Sequence, residues 1–113
     1  HKYIQIRSLF ELYYEQDFIL IGDSGQKDPE IYIKIAEMYP SRVRAIYIRC
    51  VGKKRKNKRL GRLIQDAALL GTEMIPVHTT TEAAMHAVSK NLIRADQVAE
   101  IRIEKERELQ EPA

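Results

Sequence analysis

Two acidic residues stand close together in the stretch FILIGDSGQKDPEIY, residues 18–32. Asp23 directly follows the apolar run FILIG, and Asp28 comes five residues later, with Ser24 and Gly25 in between. Two carboxylates in one short turn repel each other unless a cation lies between them. Magnesium is typically held by one or two carboxylates together with water and phosphate. The pattern therefore predicts a Mg²⁺ site formed by Asp23 and Asp28.

The same residues also fit a purely structural interpretation. Asp28 followed by Pro29 is typical of a helix start, with Asp28 as the N-cap. Asp23 can serve as a solvated turn residue, and Gly25 suits turn geometry. Ser24 and Gly25, ahead of a helix, are in addition typical of an anion-binding corner. Spacing alone leaves these alternatives open.

Hydrophobic periodicity predicts the elements that hold this turn. Buried stripes are expected along the first two helices, from Ile6, Leu9, Phe10 and Tyr13 and from Ile31, Ile35 and Met38. The last helix is expected to break near residues 91–96 and to continue into a charged, solvated tail, residues 101–113. The predicted elements are helix 2–14, strand 18–22, helix 29–39 with Asp28 as its N-cap, strand 42–49, a helix containing Leu60, Leu63, Ile64 and Ala67, strand 72–78 and a helix opened by a Thr79–Glu82 capping box.

This α-β-α-β-α-β-α order predicts an α/β fold, with a three-stranded parallel sheet flanked by helices in a three-layer, Rossmann-like arrangement. Strands joined by single crossover helices run parallel, with right-handed connections. Ligands of such sheets bind at the carboxyl ends of the strands. The turn that contains Asp23 lies at one of those ends.

The composition of the 113 residues is that of a folded globular chain, with 44% hydrophobic and 31% charged residues. No apolar run approaches the ~20 residues that cross a bilayer, and the first residues do not have the layout of a signal peptide. A lone cysteine, Cys50, excludes an internal disulfide framework and favours a reducing compartment. We therefore expect a cytoplasmic location.

The net charge of +3 hides a local basic segment, KKRKNKRLGR, residues 53–62. Seven of the 19 basic side chains lie here, which leaves 12 basic against 16 acidic groups elsewhere, a net charge of −4. The segment predicts peripheral contact with an anionic membrane, and nucleic acid is less favoured because no aromatic residue interrupts it. A non-catalytic module that binds anionic lipid or nucleic acid in this way is one possible function, and a solvated basic loop is the simpler alternative. The basic residues are Lys53, Lys54, Arg55, Lys56, Lys58, Arg59 and Arg62.

The segment FILIGDSGQKDPEIY, the later AIYIR and the opening HK together resemble the phosphatidate phosphatase catalytic domain of the haloacid dehalogenase-like (HAD) superfamily. The resemblance is dense over residues 17–51, thin on either side and essentially gone after about residue 80. It implies a HAD-like fold and a Mg²⁺-dependent phosphohydrolase that acts through an aspartyl-phosphate. Its substrate would be a phosphorylated small molecule or a phospholipid, with phosphatidate converted to diacylglycerol and phosphate.

The resemblance also implies roles for individual residues. Asp23 would be a metal ligand, and Asp28 would hold either the ion's water or the shape of the loop. Lys2 corresponds to the third-motif lysine, whose ammonium would pair with the transferred phosphoryl group and with the nucleophilic carboxylate. Ser24 would contact the substrate phosphate, and the implied cofactor is Mg²⁺.

One motif of the family is missing from these residues. The family's nucleophile lies in an Asp-x-Asp-x-Thr/Val motif on an earlier strand, and no Asp-x-Asp occurs here. Since a covalent step needs an attacking carboxylate, we expect the C-terminal part of a HAD-like domain, inactive alone. Its third- and fourth-motif elements would lie at 1–40, a β-α-β unit at 42–78 and a helical C-terminus at 79–110. Strand 18–22 would then be an exposed edge that pairs with another copy or with the amino-terminal half.

A second departure from the family lies at Cys50, where the family usually has an acid after Ile-Arg. The change removes a possible partner of Arg49. We expect Arg49 to be freer or reoriented as a result, and Cys50 to be a small, half-buried residue and not a nucleophile.

Overall fold

The computed structural model describes residues 1–50 and 58–93, and it confirms the predicted alternation of helices and strands. The chain divides after His78 into two compact units, residues 1–78 and 79–113. The elements in chain order are α1 (Lys2–Leu12), β1 (Phe18–Asp23), α2 (Asp28–Met38), β2 (Val43–Arg49), α3 (Lys58–Leu69), β3 (Met74–Val77) and α4 (Thr80–Ser89).

The three strands form one parallel sheet in the order β1-β2-β3, as the sequence predicts. The fold is α/β, with a three-stranded parallel sheet and flanking helices, consistent with a Rossmann-like three-layer arrangement. A helix follows each strand because a parallel neighbour can only be reached by a crossover that returns the chain to the same end of the sheet. Among the described strands, β2 is central and β1 lies at an edge.

The pairing of β1 with β2 contains one irregularity near its start. Phe18 lies beside Val43, but Ile19 lies beside Ala45, so that β2 has one extra residue, Arg44, at this point. Such a bulge leaves the extra residue unpaired and bends the strand. Beyond it the register is regular, and it places the last residues of the two strands side by side.

The core of residues 1–78 lies between the sheet and the helices α1, α2 and α3. Ile46 and Ile48 of β2 are fully buried and belong to one apolar cluster with residues from all three helices. Burial of β-branched side chains is expected for the central strand of a parallel sheet that is covered by helices. The helical members of the cluster are Phe10, Tyr32, Ile35, Ala36, Leu60 and Ala67.

The predicted stripes of α1 and α2 are only partly correct. Phe10 and Ile35 are fully buried, whereas Leu9, Tyr13 and Met38 are exposed. Helix α1 packs chiefly on α2, so it buries a narrower face than helical spacing alone suggests. Met38 is the last residue of α2, where the helix leaves the core.

Helix α2 begins one residue earlier than predicted. Its N-cap is Lys27, and Asp28 is the first helical residue, followed by Pro29, so the predicted N-cap role of Asp28 is wrong. The reason is that the Asp28 carboxylate has other partners, which lie in the candidate site. The end of α2 at Tyr39-Pro40 is as predicted, since proline disfavours helical geometry in the residue before it.

Arg42 binds the chain at the amino end of the sheet. Its Nη2 donates to the carbonyl oxygens of Tyr13 at 2.7 Å and Gln16 at 2.9 Å, and its Nε donates to Gln16 O at 3.1 Å. These bonds fix the connection between α1 and β1. The guanidinium also lies over the rings of Phe10, Phe18 and Tyr39, with its carbon 5.0–5.7 Å from their centroids.

Helix α4 is the described element of the second unit. The hydroxyl of its N-cap Thr79 accepts a hydrogen bond from the Glu82 N–H at 3.0 Å, in agreement with the predicted capping box. The helix ends at Ser89, and Asn91 has a positive φ of 59°. Residues 94–96 of the predicted break, and the charged tail 101–113, lie outside the described residues. None of the helices in the described ranges is both long and apolar enough to cross a membrane.

Candidate active site at the carboxyl end of the sheet

The ends of β1 and β2 bring an acid and a base together. Asp23 is the last residue of β1 and Arg49 the last of β2, and the parallel register pairs them directly. Arg49 Nε donates to Asp23 Oδ1 at 2.8 Å, and Nη2 donates to Oδ2 at 3.1 Å. This two-pronged geometry is the strongest form of a carboxylate–guanidinium pair. Both side chains remain partly open to solvent, 38% exposed for Asp23 and 39% for Arg49.

Asp28 lies beneath the turn and is almost completely buried, with a side chain 3% exposed. Its Oδ2 accepts the backbone N–H of Asp23 at 2.9 Å, and its Oδ1 accepts the Lys2 ammonium at 2.7 Å. A buried carboxylate is tolerated only when paired and hydrogen-bonded, and both conditions are met here. Asp28 therefore fixes the backbone of the residue that carries the other acid.

Gly22 allows this close approach of α2 to β1. A Cβ at position 22 would lie 2.5 Å from Asp28 Oδ2 and 2.7 Å from the Tyr32 hydroxyl oxygen, inside normal contact distances. No side chain larger than hydrogen fits here without moving Asp28 or Tyr32. The glycine is thus required by packing against the site, not only by the turn that follows.

Tyr32 joins the same cluster from α2. Its hydroxyl donates to the carbonyl oxygen of Ile21 at 2.7 Å. Burial raises the pKa of Tyr32 to about 12, and the negative charges of Asp28 and Asp23 also raise it. The positive charge of Arg49 lowers this pKa and offsets part of the increase. The phenol therefore stays protonated at neutral pH and acts as a hydrogen-bond donor that anchors β1.

Ser24 continues the ladder beyond the last strand pair. Ser24 is buried, and its backbone N–H donates to Arg49 O at 2.9 Å. Four of the residues predicted for the site, Lys2, Asp23, Ser24 and Asp28, are thus brought together at one corner. Their roles toward metal or phosphate stay predictions.

The charge balance of this corner differs from the one expected from the sequence. Asp23 and Asp28 each have a cationic side chain as partner, Arg49 and Lys2 respectively, so the two acids do not need a metal ion to coexist. The expectation of a freer Arg49 is wrong, because the parallel register places Asp23 within its reach. Cys50 is fully buried, more deeply than expected, and its Sγ lies 3.6 Å from Ile48 O.

Sequence reasoning also missed the role of Arg59, which it grouped with the basic segment. Arg59 Nε donates to Glu30 Oε2 at 2.8 Å, and its Nη2 pairs with Glu30 Oε1. Nη1 donates to Ser24 O at 3.0 Å and Nη2 to Gln26 O at 3.0 Å. Arg59 thus holds the turn between the two acids. No sequence signal distinguishes it from the six other basic residues of the segment.

The remaining basic residues are not brought to this corner by any described contact. Lys58 and Arg62 are exposed on α3, and residues 53–56 lie outside the described ranges. Binding of anionic lipid or nucleic acid by this segment stays a prediction.

A hydrated magnesium ion fits part of this donor set. Within residues 1–50 and 58–93, no group of three or more His, Cys, Asp or Glu side chains is arranged to hold a metal. Asp23 is accessible and offers two oxygens, which suits an ion that keeps most of its water. Asp28 is buried with both oxygens engaged, so it suits the shaping of the loop better than direct coordination.

Comparison with known proteins supports the resemblance seen in the sequence. Residues 1–50 match the family model described as phosphatidate phosphatase APP1, catalytic domain. Over 45 residues the chain is 42% identical to phosphatidate phosphatase APP1 of Saccharomyces cerevisiae, a match that covers 40% of this chain and 8% of the yeast protein. No solved structure matches the chain. The resemblance to the phosphatidate phosphatase catalytic domain family is confirmed over this short stretch, which contains Lys2, Asp23, Asp28 and Arg49.

Proposed function

We propose that this chain provides the acidic loop of a phosphatidate phosphatase-like domain of the HAD superfamily. In that role it takes part in Mg²⁺-dependent hydrolysis of a phosphate monoester, with phosphatidate as the substrate. Two observations support the proposal: the family match over residues 1–50, and the meeting of Lys2, Asp23 and Asp28 at the carboxyl end of the sheet. Sheets of this kind bind their ligands at that end.

Asp23 is the residue that would hold the metal in this proposal. Its side chain is partly exposed, it ends strand β1, and its backbone N–H is bound by Asp28. When bound, Mg²⁺ neutralises charge on the phosphoryl group and orients it. Asp28 is a positioning residue, because it reaches the site only through the backbone of Asp23 and the ammonium of Lys2.

Lys2 and Arg49 would bind the substrate phosphate. Each presents a partly exposed cation at the same corner, and a phosphate dianion is a ligand that ammonium and guanidinium groups bind well. Both cations are also paired with carboxylates, so the phosphate would share or replace those partners. Ser24 offers a hydroxyl beside them as a further donor.

The nucleophile must come from outside these 113 residues, which contain no Asp-x-Asp. We therefore propose that the chain alone does not hydrolyse phosphatidate. Strand β1, at the edge of the described sheet, is where a complementing strand or a second copy would pair. Sedimentation of the chain at increasing concentration tests this pairing, and a monomer at every concentration would contradict it.

The metal role is tested by titrating the ¹⁵N-labelled chain with Mg²⁺ and following its backbone amide resonances. We expect saturable shifts confined to residues 22–28. Asp23→Asn should abolish them, whereas the control Asp17→Asn, which removes a similar exposed acid paired with Arg44 at the opposite end of the sheet, should not. Shifts that persist in Asp23→Asn would remove Asp23 from the metal site.

The catalytic role is tested by phosphate release from vesicles that contain phosphatidate. The chain alone should release none, with or without Mg²⁺. Release that depends on Asp23 would show that the chain has its own nucleophile, and the proposed division of the active site would then be wrong.

A further inference from the structure

Arg59 makes four hydrogen bonds to one short segment, residues 24–30. Two go to the Glu30 carboxylate and two to the backbone carbonyls of Ser24 and Gln26. These partners are separated from Arg59 by 29 to 35 positions in the chain. A guanidinium is planar and has five N–H donors in a fixed arrangement, so it can hold several acceptors in a defined geometry.

Residues 24–26, which form the first part of this segment, make two other described backbone hydrogen bonds. Ser24 N–H donates to Arg49 O at 2.9 Å, and Gln26 N–H makes a long contact of 3.4 Å with Asp23 O. Gly25 has no neighbour within 4 Å of the position where a Cβ would stand, which shows that the turn faces open space. Arg59 therefore provides much of what keeps residues 24–26 in place.

These restraints lie on both sides of Asp28. Ser24 and Gln26 precede it in the turn, and Glu30 follows it in the first turn of α2. By contacting both sides, Arg59 restrains the turn that connects the end of β1 to the start of α2. In this arrangement of the turn, Asp28 Oδ2 accepts the Asp23 N–H at 2.9 Å.

We infer that Arg59 is a positioning residue for the Asp23–Asp28 corner, acting through Glu30 and the carbonyls of Ser24 and Gln26. The inference rests on the proposed function insofar as the corner is a magnesium and phosphate site. It separates Arg59 from the rest of the basic segment, whose charges would act on a partner outside the chain. Arg59 also lies outside residues 1–50, the part of the chain that matches the phosphatase family.

An ordinary surface ion pair is the competing explanation for the contact with Glu30. Both side chains are partly open, 42% exposed for Arg59 and 40% for Glu30, and such pairs contribute about 0–1 kcal/mol. An ion pair alone, however, would need neither of the two carbonyl contacts. The two explanations predict different results for Arg59→Lys. Lysine keeps the positive charge but lacks the several N–H donors that the guanidinium holds in a fixed plane.

The chain offers a matched control in Arg62. It belongs to the same basic segment and the same helix, it is exposed, and it lies three residues after Arg59. Arg62→Ala makes the same change in net charge and in helix composition. Any effect of Arg59→Ala that Arg62→Ala does not reproduce therefore arises from the contacts of Arg59.

The experiment compares the whole 113-residue chain with its Arg59→Ala, Arg59→Lys and Arg62→Ala variants by amide hydrogen exchange without metal. We expect Arg59→Ala to increase exchange of the hydrogen-bonded amides of Asp23, Ser24 and Gln26 by about tenfold, the equivalent of one to two hydrogen bonds. Arg59→Lys should recover less than half of this protection, and Arg62→Ala should match the parent. Unchanged exchange in Arg59→Ala, or full recovery by lysine, would overturn the inference.

A magnesium titration of the same samples separates this inference from the proposed function. Arg59→Ala should raise the apparent dissociation constant for Mg²⁺ by about threefold to tenfold, with Arg62→Ala unchanged. If the parent chain shows no magnesium shifts, the metal role fails, and the exchange data still decide the role of Arg59. Should Arg59→Ala not fold, Glu30→Gln weakens the same contact more gently and is expected to give a smaller increase in exchange at the same amides.

Discussion

The two ends of the β1–β2 pair use the same residue types for different purposes. At the amino end, Asp17, the residue before β1, pairs with Arg44 of β2 at 3.6 Å. At the carboxyl end, Asp23, the last residue of β1, pairs with Arg49 of β2 at 2.8 and 3.1 Å. Each end also has an arginine that binds loop carbonyls, Arg42 and Arg59 respectively. The difference lies in what surrounds these groups.

At the amino end, Arg42 lies over three aromatic rings, and the ring centroids of Phe10 and Phe18 are 4.1 Å apart. At the carboxyl end, Arg49 and Arg59 lie against carboxylates and carbonyls that remain partly open to solvent. Packing against rings removes apolar surface from water and stabilises the fold. Exposed polar contacts contribute little to stability but hold atoms in defined positions, which is what a binding site requires.

The largest effect is expected from Gly22→Ala, which tests whether the carboxyl end is tightly packed beneath its polar surface. The added methyl would lie 2.5 Å from Asp28 Oδ2, so we expect the free energy of unfolding to fall by about 1–3 kcal/mol. Chemical denaturation measures this. Gly25→Ala, which meets nothing within 4 Å, is the control and should change stability by less than about 0.5 kcal/mol. Equal effects of the two substitutions would contradict the described packing.

Arg42→Ala is expected to have the next largest effect. It removes three hydrogen bonds to carbonyls and the contacts with three rings, which should lower the free energy of unfolding by about 2 kcal/mol. Arg49→Ala at the other end should cost less than about 1 kcal/mol because its pair with Asp23 is half exposed. If Arg49→Ala proves the more destabilising of the two, the proposed contrast between the ends is wrong.

Alkaline pH should weaken the carboxyl end through Tyr32. Its pKa is about 12 in the fold against 10 for a free phenol, so between these values the folded chain keeps a proton that the unfolded chain loses. The contribution is therefore complete below pH 10 and is lost as pH rises toward 12, by about 1–2 kcal/mol. Denaturation at a series of pH values measures the slope. Tyr32→Phe should reduce the slope, and an identical slope in the variant would exclude Tyr32 as its source.

The smallest effect is expected from Asp17→Asn. The Asp17–Arg44 pair is exposed and its Oδ2–Nη1 distance is 3.6 Å, so its loss should change the free energy of unfolding by less than about 0.5 kcal/mol. Thermal denaturation at low and high salt checks this, with Asp23→Asn measured alongside. A loss of more than 1 kcal/mol in Asp17→Asn alone would show that the amino-end pair is more strongly coupled to the fold than its geometry indicates.

The order and type of the elements could be predicted from the sequence because they depend on local patterns. The run FILIG predicts a strand and the pair Tyr39-Pro40 predicts a helix end, each from a few neighbouring residues. The position of Asp23 at a strand end, beside the start of a helix, follows from the same patterns. The parallel order of the strands follows from the helices between them.

The partners of the two acids could not be read from the sequence in the same way. Lys2 and Asp28 are 26 positions apart, as are Arg49 and Asp23, and only the three-dimensional packing brings each pair together. Arg59 shows the same limit more strongly, since it lies in a run of like residues and, of the three that the structure describes, Lys58, Arg59 and Arg62, only Arg59 contacts the turn. Of these contacts, the one between Arg49 and Asp23 is the easiest to predict from the sequence, because residues that end neighbouring parallel strands lie side by side.

The single extra residue in β2 has a consequence far from where it occurs. Were β1 and β2 paired without interruption from Phe18 and Val43, Asp23 would stand opposite Ile48 and not Arg49. The one-residue register shift near the start of the sheet therefore determines which residue of β2 lies opposite Asp23 at the carboxyl end. Deleting Arg44 itself would remove the bulge and keep Asp23 opposite Arg49, because every pair from Ile19 and Ala45 onward already skips that residue.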